Sequence, residues 1–322
     1  MAIVAENRNN MIGVLSAVGA ALFFSINDVS IKFLSGDYAL HQVVLIRSVI
    51  GMTMLLAFIV PRYGLVALIR TDRLGAHILR SMFVVVANFG FFMALAALPL
   101  ADVAAIFFVS PIMITALSVL ILGEKVGPRR WLAVGVGLLG VVVMLRPGTS
   151  AFQFASLLPL AAALGYALLH IMTRRMRGTE SAATMTFYVQ LVFIVLSAGI
   201  GLGIGDGRFA GQGGASPEFF FREWVRPDPG DYLIFLLIGA CSAAGGFLIS
   251  QAYRLCEAGL AAPFEYVALP LAIFWGVTVF GQWPDAVSWL GISLIIAGGL
   301  YMFWREALSQ SGSLAQGPHK DR

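Results

Sequence analysis

Residues 101–145 read ADVAAIFFVSPIMITALSVLILGEKVGPRRWLAVGVGLLGVVVML. Within them, 101–121 carries a single charge, Asp102, and 131–145 carries none, while the turn between holds Lys125, Arg129 and Arg130. An apolar run of about 20 residues crosses the hydrocarbon of a bilayer as a helix. Neither run alternates apolar with polar residues, as a barrel strand would. The second run is short, and only Pro99 and Asp102 separate the first from the apolar stretch before it. The unit is two membrane-crossing helices joined by a short basic turn.

Outward from this unit, runs of the same kind lie at about Met11–Leu34, Leu40–Val60 and Leu74–Leu98 on one side. On the other they lie at Phe154–Thr173, Ala182–Ile204, Tyr232–Leu255, Leu260–Phe280 and Ala286–Trp304, which brings the reading to ten spans. Composition agrees. Of 322 residues, 59% are hydrophobic and only 12% charged, with a mean hydropathy of +0.87. A soluble domain carries about twice that share of charge. The same figures exclude a disordered chain, a secreted disulfide scaffold and a nucleic-acid-binding domain. Cys241 and Cys256 share one apolar stretch, about 22 Å apart on a helix, beyond disulfide reach.

Basic residues set the orientation, because loops rich in Lys and Arg stay in the cytoplasm. With the N-terminus inside, Arg8, Arg62, Arg70, Arg73, Lys125, Arg129, Arg130, Arg174, Arg175, Arg177, Arg254, Arg305, Lys320 and Arg322 all fall on the cytoplasmic side. Opposite them are Lys32, Arg146, Arg208, Arg222 and Arg226. Both termini are expected in the cytoplasm, on an inner-membrane protein without a cleavable signal. The loop Gly205–Asp231 reads as an external linker whose Phe219, Phe220 and Phe221 rest on the membrane interface, with a lid as the functional alternative. The tail after about Ala307 reads as disordered.

The chain repeats itself. Gly123-Glu-Lys, Trp131-Leu132, Gly140 and Met144 recur 158 positions on as Gly281-Gln-Trp, Trp289-Leu290, Gly298 and Met302. Pro111 is answered by Pro270 with a slip of one residue. Five spans per copy is an odd number, so the second copy enters the membrane inverted, the geometry of alternating access. The expected fold is all-α, ten transmembrane helices as an inverted five-plus-five repeat, with copies at 1–150 and 151–306 and a cytoplasmic tail at 307–322.

The segment Ala101-Asp-Val-Ala…Ser110-Pro111…Leu122-Gly-Glu124-Lys…Trp131-Leu…Gly137-Leu-Leu-Gly140-Val…Arg146-Pro147 resembles the repeat unit of EamA-type transporters, of the drug/metabolite transporter superfamily. The second half resembles it from Ala261 to Trp304, with Gln282 where the repeat usually has glutamate. Ala262-Pro-Phe-Glu265-Tyr266 is similar to a subset that includes S-adenosylmethionine uptake carriers, and riboflavin uptake carriers are other relatives. The resemblance implies a ten-helix carrier of a small organic metabolite that hydrolyses no ATP.

A charge at membrane depth is costly and marks a functional candidate. Asp28, Arg47, Arg80 and Glu265 qualify. Helix rise places Asp28 and Arg47 in the outer third and Arg80 and Glu265 at a matching inner level, which predicts the pairs Asp28–Arg47 and Arg80–Glu265 at the two ends of one cavity. The structural alternatives are a bridge from Asp28 to Lys32 one turn on, and Arg80 reaching to the headgroups. Glu265 or Asp28 is the expected carrier of a coupling proton. Asn27, Asn88, Tyr266 and Trp275 join the substrate-binding set, with Tyr188, Gln190 and Gln251 as lesser candidates. Pro111, Pro263 and Pro270 break helical hydrogen bonds at depth, either as kinks that neighbours satisfy or as hinges, for which Pro111 and Pro270 are the expected residues. No cofactor or metal is expected. The partners are a small cationic, zwitterionic or aromatic metabolite, a coupling proton and membrane lipid, the carrier being a monomer or weak dimer.

The rivals are an exporter or exchanger of the same fold and an intramembrane enzyme. The enzyme reading lacks a constellation: His41, His77, His170 and His319 are scattered, with no His-Glu-x-x-His or zinc spacing. The alternating Gly199, Gly201, Gly203 and Gly205 follow no strand, so they are read as helix-packing glycines and not as a phosphate loop.

Overall fold

The computed structural model describes residues 2–123, 127–149, 153–176, 179–211, 213–255 and 264–315. Glu124, Lys125, Arg177, Cys256, Pro263, His319, Lys320 and Arg322 lie outside them. A helix satisfies its own backbone N–H and C=O groups, the requirement for crossing lipid. Among the described residues all regular structure is helical. The order is α1 (Ala2–Leu34), α2 (Leu40–Tyr63), the short α3 (Leu65–Ile69), α4 (Leu74–Ala97), α5 (Leu100–Phe107), α6 (Ser110–Leu122) and α7 (Pro128–Leu145). A 3₁₀ turn at Phe154–Leu157 leads into α8 (Leu158–Arg175), then α9 (Ala182–Ile204), the short α10 (Ala215–Phe221), α11 (Tyr232–Leu255), α12 (Ala268–Phe280) and α13 (Ala286–Ala315). Seven described segments are long and apolar enough to cross a membrane, Leu100–Ile121 being counted as one, and Trp131–Leu145, Ala268–Phe280 and Ala286–Tyr301 are shorter apolar helices. The chain is an integral membrane protein.

Two expectations need correction. The run 101–121 is not one helix: it breaks after Phe107 and restarts at Ser110. Pro111 has no N–H to offer the Phe107 carbonyl, so the ladder stops there, and the proline falls in the first turn of α6, where no donor is required. The ninth run behaves alike. A turn at Tyr266–Val267 precedes α12, and Pro270 lies in its first turn. The second correction is the tail: α13 continues to Ala315, because Arg305-Glu-Ala-Leu extends the helical ladder past Ala307.

The main packings are α1 on α11, α4 on α8, α2 on α9 and α7 on α13. Small residues let the last pair approach closely. A Cβ on Gly140 would lie 2.9 Å from the Gly291 carbonyl, and one on Gly298 would lie 2.9 Å from the Ala133 carbonyl. Gly140 and Gly298 are 158 positions apart, as are Ala133 and Gly291, so the contact is reciprocal. Phe108 and Tyr266, one at each helix break and again 158 apart, stack at 5.1 Å between centroids.

The segment 205–231 is tied down. Phe219 is fully buried, not resting on a membrane interface, and the Ser216 hydroxyl donates to the Met93 carbonyl at 2.6 Å. Trp224 Nε1 donates to His41 Nδ1 at 2.5 Å, Tyr38 Oη donates to Asp231 at 2.6 Å, and Arg222 reaches the Ser35 carbonyl at 2.9 Å. The Trp224 ring occupies the space a side chain at Gly201 would need, which accounts for that glycine.

At the start of α13, Asp285 accepts from the Ser288 N–H at 2.8 Å and from Arg146 at 2.5 and 2.6 Å. The Arg146 bond, then the helix-cap bond, hold its carboxyl at about 2, below the ordinary 3.8. A depressed value contributes stability above about pH 4 that is lost as the pH falls towards 2. Asp285→Ala should therefore cost about 1 kcal/mol at neutral pH, mostly through the lost cap, since the ion pair is half exposed. Melting the variant and the parent at pH 7 and pH 2.5 checks this: their difference should shrink at the acid pH.

Candidate functional site

The breaks between α5 and α6 and before α12 flank a cavity of about 150 Å³, lined from seven helices and from Phe108 and Glu265. Asp28, Asn27, Arg47, Asn88 and Glu265 all border it, with Phe91, Phe92, Phe107, Phe108 and Tyr166 as its aromatic wall. Of the four charges expected around one cavity, Asp28, Arg47 and Glu265 border it and Arg80 does not.

Arg47 is 2% exposed. Two of its guanidinium nitrogens lie 3.4 Å from Asn88 Oδ1, and its Nε has no hydrogen-bond partner. The rest of its environment is aromatic: the guanidinium carbon stands 5.3 Å from the Phe92 centroid and 5.0 Å from that of Phe193. Such faces stabilise a cation without neutralising it. Asn88 is oriented by its own bond to the Val84 carbonyl at 3.1 Å. Asp28 accepts from the Asn27 amide at 3.2 Å and feels the field of Arg47, although no ion pair within 4 Å joins the two. The Asn27 side-chain oxygen is buried without a partner. The chamber thus holds an acid and a base that face it without closing on each other.

The bridge from Asp28 to Lys32 does not form. Lys32 Nζ instead donates to the Leu95 and Leu98 carbonyls at 2.6 and 2.7 Å, where α4 ends with unpaired acceptors. The second expected pair does not form either. Arg80 turns away from the chamber, Nε donating to Thr173 Oγ1 at 2.9 Å and another nitrogen to the Met185 carbonyl at 3.4 Å. At 4% exposure it does not reach for headgroups. Glu265 is satisfied by tyrosines: Tyr166 Oη donates to one oxygen at 2.6 Å, and Tyr253 Oη donates to the other.

Tyr266 and Trp275 stand behind the lining. Tyr266 is buried, donating to the Phe108 carbonyl at 3.3 Å. Trp275 Nε1 approaches the hydroxyl of Ser25, itself a lining residue, at 3.4 Å. Tyr188 and Gln190 face other partners, the Ile69 carbonyl and Ser242. The sequence reading missed Tyr166 and Tyr253. A tyrosine in an apolar run has no spacing pattern, and the available signal was only that Glu265 lacks a basic neighbour on its own segment.

The model of the EamA-like transporter family matches residues 11–146 and 153–304. Over 302 residues the chain is 28% identical to a riboflavin transporter of Rhizobium johnstonii, with 94% of each chain covered. It is 26% identical to an S-adenosylmethionine uptake transporter of Rickettsia prowazekii, over 89% of this chain and 90% of that one. A solved crystal structure at 19% identity covers 90% of this chain and 95% of its own with a TM-score of 0.64, a likeness of fold.

Proposed function

The chain belongs to the EamA-like transporter family and is a transporter of small metabolites, and we propose that it carries its solute through the Asp28–Arg47–Glu265 chamber by alternating access. The two halves form an inverted five-plus-five repeat across the inner membrane, with both termini in the cytoplasm. Three pairs of residues 158 positions apart support this reading: Phe108 with Tyr266, Gly140 with Gly298, and Ala133 with Gly291, all at the contact between halves. Helices broken at the level of the chamber are what such carriers use to face a solute with backbone ends.

The observation that carries the proposal is an acid and a base left facing one cavity without an ion pair between them. A zwitterion fits this arrangement, its cationic end to Asp28 and its anionic end to Arg47, with its body against Phe91, Phe92 and Phe107. Glu265 is then the proton-coupling acid, since its two tyrosine partners leave it free of any basic residue. At about 150 Å³ the chamber is smaller than the several hundred Å³ of an ordinary ligand site, so a larger solute requires it to widen. Opening on the outer side requires the Trp224–His41 and Tyr38–Asp231 contacts to release.

A thermal-shift screen of the purified protein tests the reading. Riboflavin, S-adenosylmethionine and simple cationic, anionic and zwitterionic aromatic metabolites are the probes. A true solute at about 100 times its Kd adds about 2.7 kcal/mol of stability. Zwitterionic or cationic probes should raise the melting temperature, and Arg47→Met and Asp28→Asn should each diminish the shift. Stabilisation that survives both substitutions would place the solute elsewhere.

A further inference from the structure

His170, one turn along α8 from Tyr166, lies against both tyrosines that hold Glu265. Its ring is 4.3 Å from that of Tyr166 and 4.0 Å from that of Tyr253, centroid to centroid. It is 3% exposed, and neither ring nitrogen has a hydrogen-bond partner among the described residues. A buried imidazole with both nitrogens unmatched is costly and calls for a reason. The transport reading does not use it.

Hydrogen counting supplies one. With two tyrosine donors on its two oxygens, Glu265 is fully matched only as a carboxylate. When it takes up a proton, one oxygen becomes a donor aimed at a tyrosine oxygen. That tyrosine must then turn its own hydrogen to a new acceptor. The ionisable groups on the elements packed around α8 are few. On α4, Arg80 can only donate and is engaged with Thr173 and Met185, while His77 is next to Glu180 at 3.1 Å. On α5, Asp102 faces Ser288, and α6 has no titratable side chain. On α11 stand Tyr253 itself, the exposed Arg254 and, three or more turns away, Cys241 and Tyr232. Next to Glu265, Tyr266 already donates to Phe108, and Asp28 and Arg47 lie on the chamber wall.

We infer that His170 is a positioning residue whose unprotonated ring nitrogen receives the hydroxyl hydrogen that Tyr166 or Tyr253 turns away when Glu265 becomes protonated. The balance is simple. One proton arrives on Glu265 from the chamber, the tyrosine keeps its O–H bond and only reorients it, and the imidazole gains no proton. The charge change stays on Glu265, and its carboxyl and both tyrosine hydroxyls keep hydrogen bonds in either protonation state. This inference rests on reading Glu265 as the coupling acid.

Infrared titration of the purified protein tests it without any solute. The probe is the carboxylic-acid C=O band that appears on acidification and is missing in Glu265→Gln. His170→Phe removes the acceptor, so the midpoint of that band should move down by about half to one pH unit, the order of one net hydrogen bond. His170→Gln keeps an amide oxygen as acceptor and should stay near the parent. A band whose midpoint is unmoved in His170→Phe overturns the inference, and so does an equal shift in both variants. If Glu265→Gln removes no band, it is the coupling reading that falls. Thermal melting of each variant confirms that folded protein is titrated.

Discussion

Arg47→Met should lower transport by about 100-fold or more and should destabilise the protein by about 3 kcal/mol. The two effects have different causes and can be separated. Arg47 is buried against Phe92 and Phe193 and makes only two long contacts, both to Asn88. Its direct bonds therefore contribute little to folding. Its charge matters more, because Asp28 shares the same low-dielectric chamber and is otherwise matched only by Asn27. Removing one member of a buried pair leaves the other uncompensated, which is the larger cost. The double variant Arg47→Met with Asp28→Asn removes both charges and should recover most of the lost stability. Transport should remain lost, since neither end of a zwitterion would find its counter-charge. Melting curves and uptake into proteoliposomes, compared at equal abundance, decide the matter. A double variant that transports like the parent would reduce Arg47 to a charge-balancing residue.

The boundaries of this fold were largely legible because membrane crossing imposes its rule residue by residue. Ala182–Ile204 and Tyr232–Leu255 coincide with α9 and α11 at both ends, since continuous apolarity ends where the chain meets water. Pro111 was read as breaking helical hydrogen bonds at depth, but not as dividing the run into two helices at Phe108–Val109. Hydropathy is blind to the backbone, and only the lost donor of the proline carries that information. The candidate site was legible by kind and misread by partner. Arg80 and Glu265 were placed at one depth from their positions along separate helices, yet depth says nothing about which side of a helix faces which neighbour. Packing of α4 on α8 carries Arg80 to Thr173, while Glu265 meets α8 at Tyr166 and α11 at Tyr253. Tyr253 lies only 12 residues from Glu265 but Tyr166 lies 99 away, and no local motif encodes such a convergence. The same holds for the segment 205–231, whose aromatics looked like interface anchors until Phe219 was found in the core and Trp224 on His41.

Glu265→Gln should abolish concentrative uptake while leaving exchange intact. Glutamine has nearly the shape of the protonated acid, and its amide oxygen still accepts from one of the two tyrosines. The chamber wall should keep its form, and a solute held by Asp28 and Arg47 should still bind and cross. On the proposed reading, what is lost is the change of charge that couples the solute to the proton: a side chain that cannot take up a proton cannot carry one across. In proteoliposomes, labelled solute should equilibrate by counterflow at a rate within about threefold of the parent, a difference of less than 1 kcal/mol in barrier. An imposed proton gradient should no longer drive accumulation above equilibrium, and the rate should lose its dependence on pH. Asp28→Asn provides the contrast, because Asp28 shares the chamber with Arg47 and the proposed reading gives it a place in the solute site. Its loss should weaken counterflow and uptake together. Accumulation that persists in Glu265→Gln and vanishes in Asp28→Asn with exchange preserved would transfer the coupling role to Asp28 and leave Glu265 as a structural partner of its tyrosines.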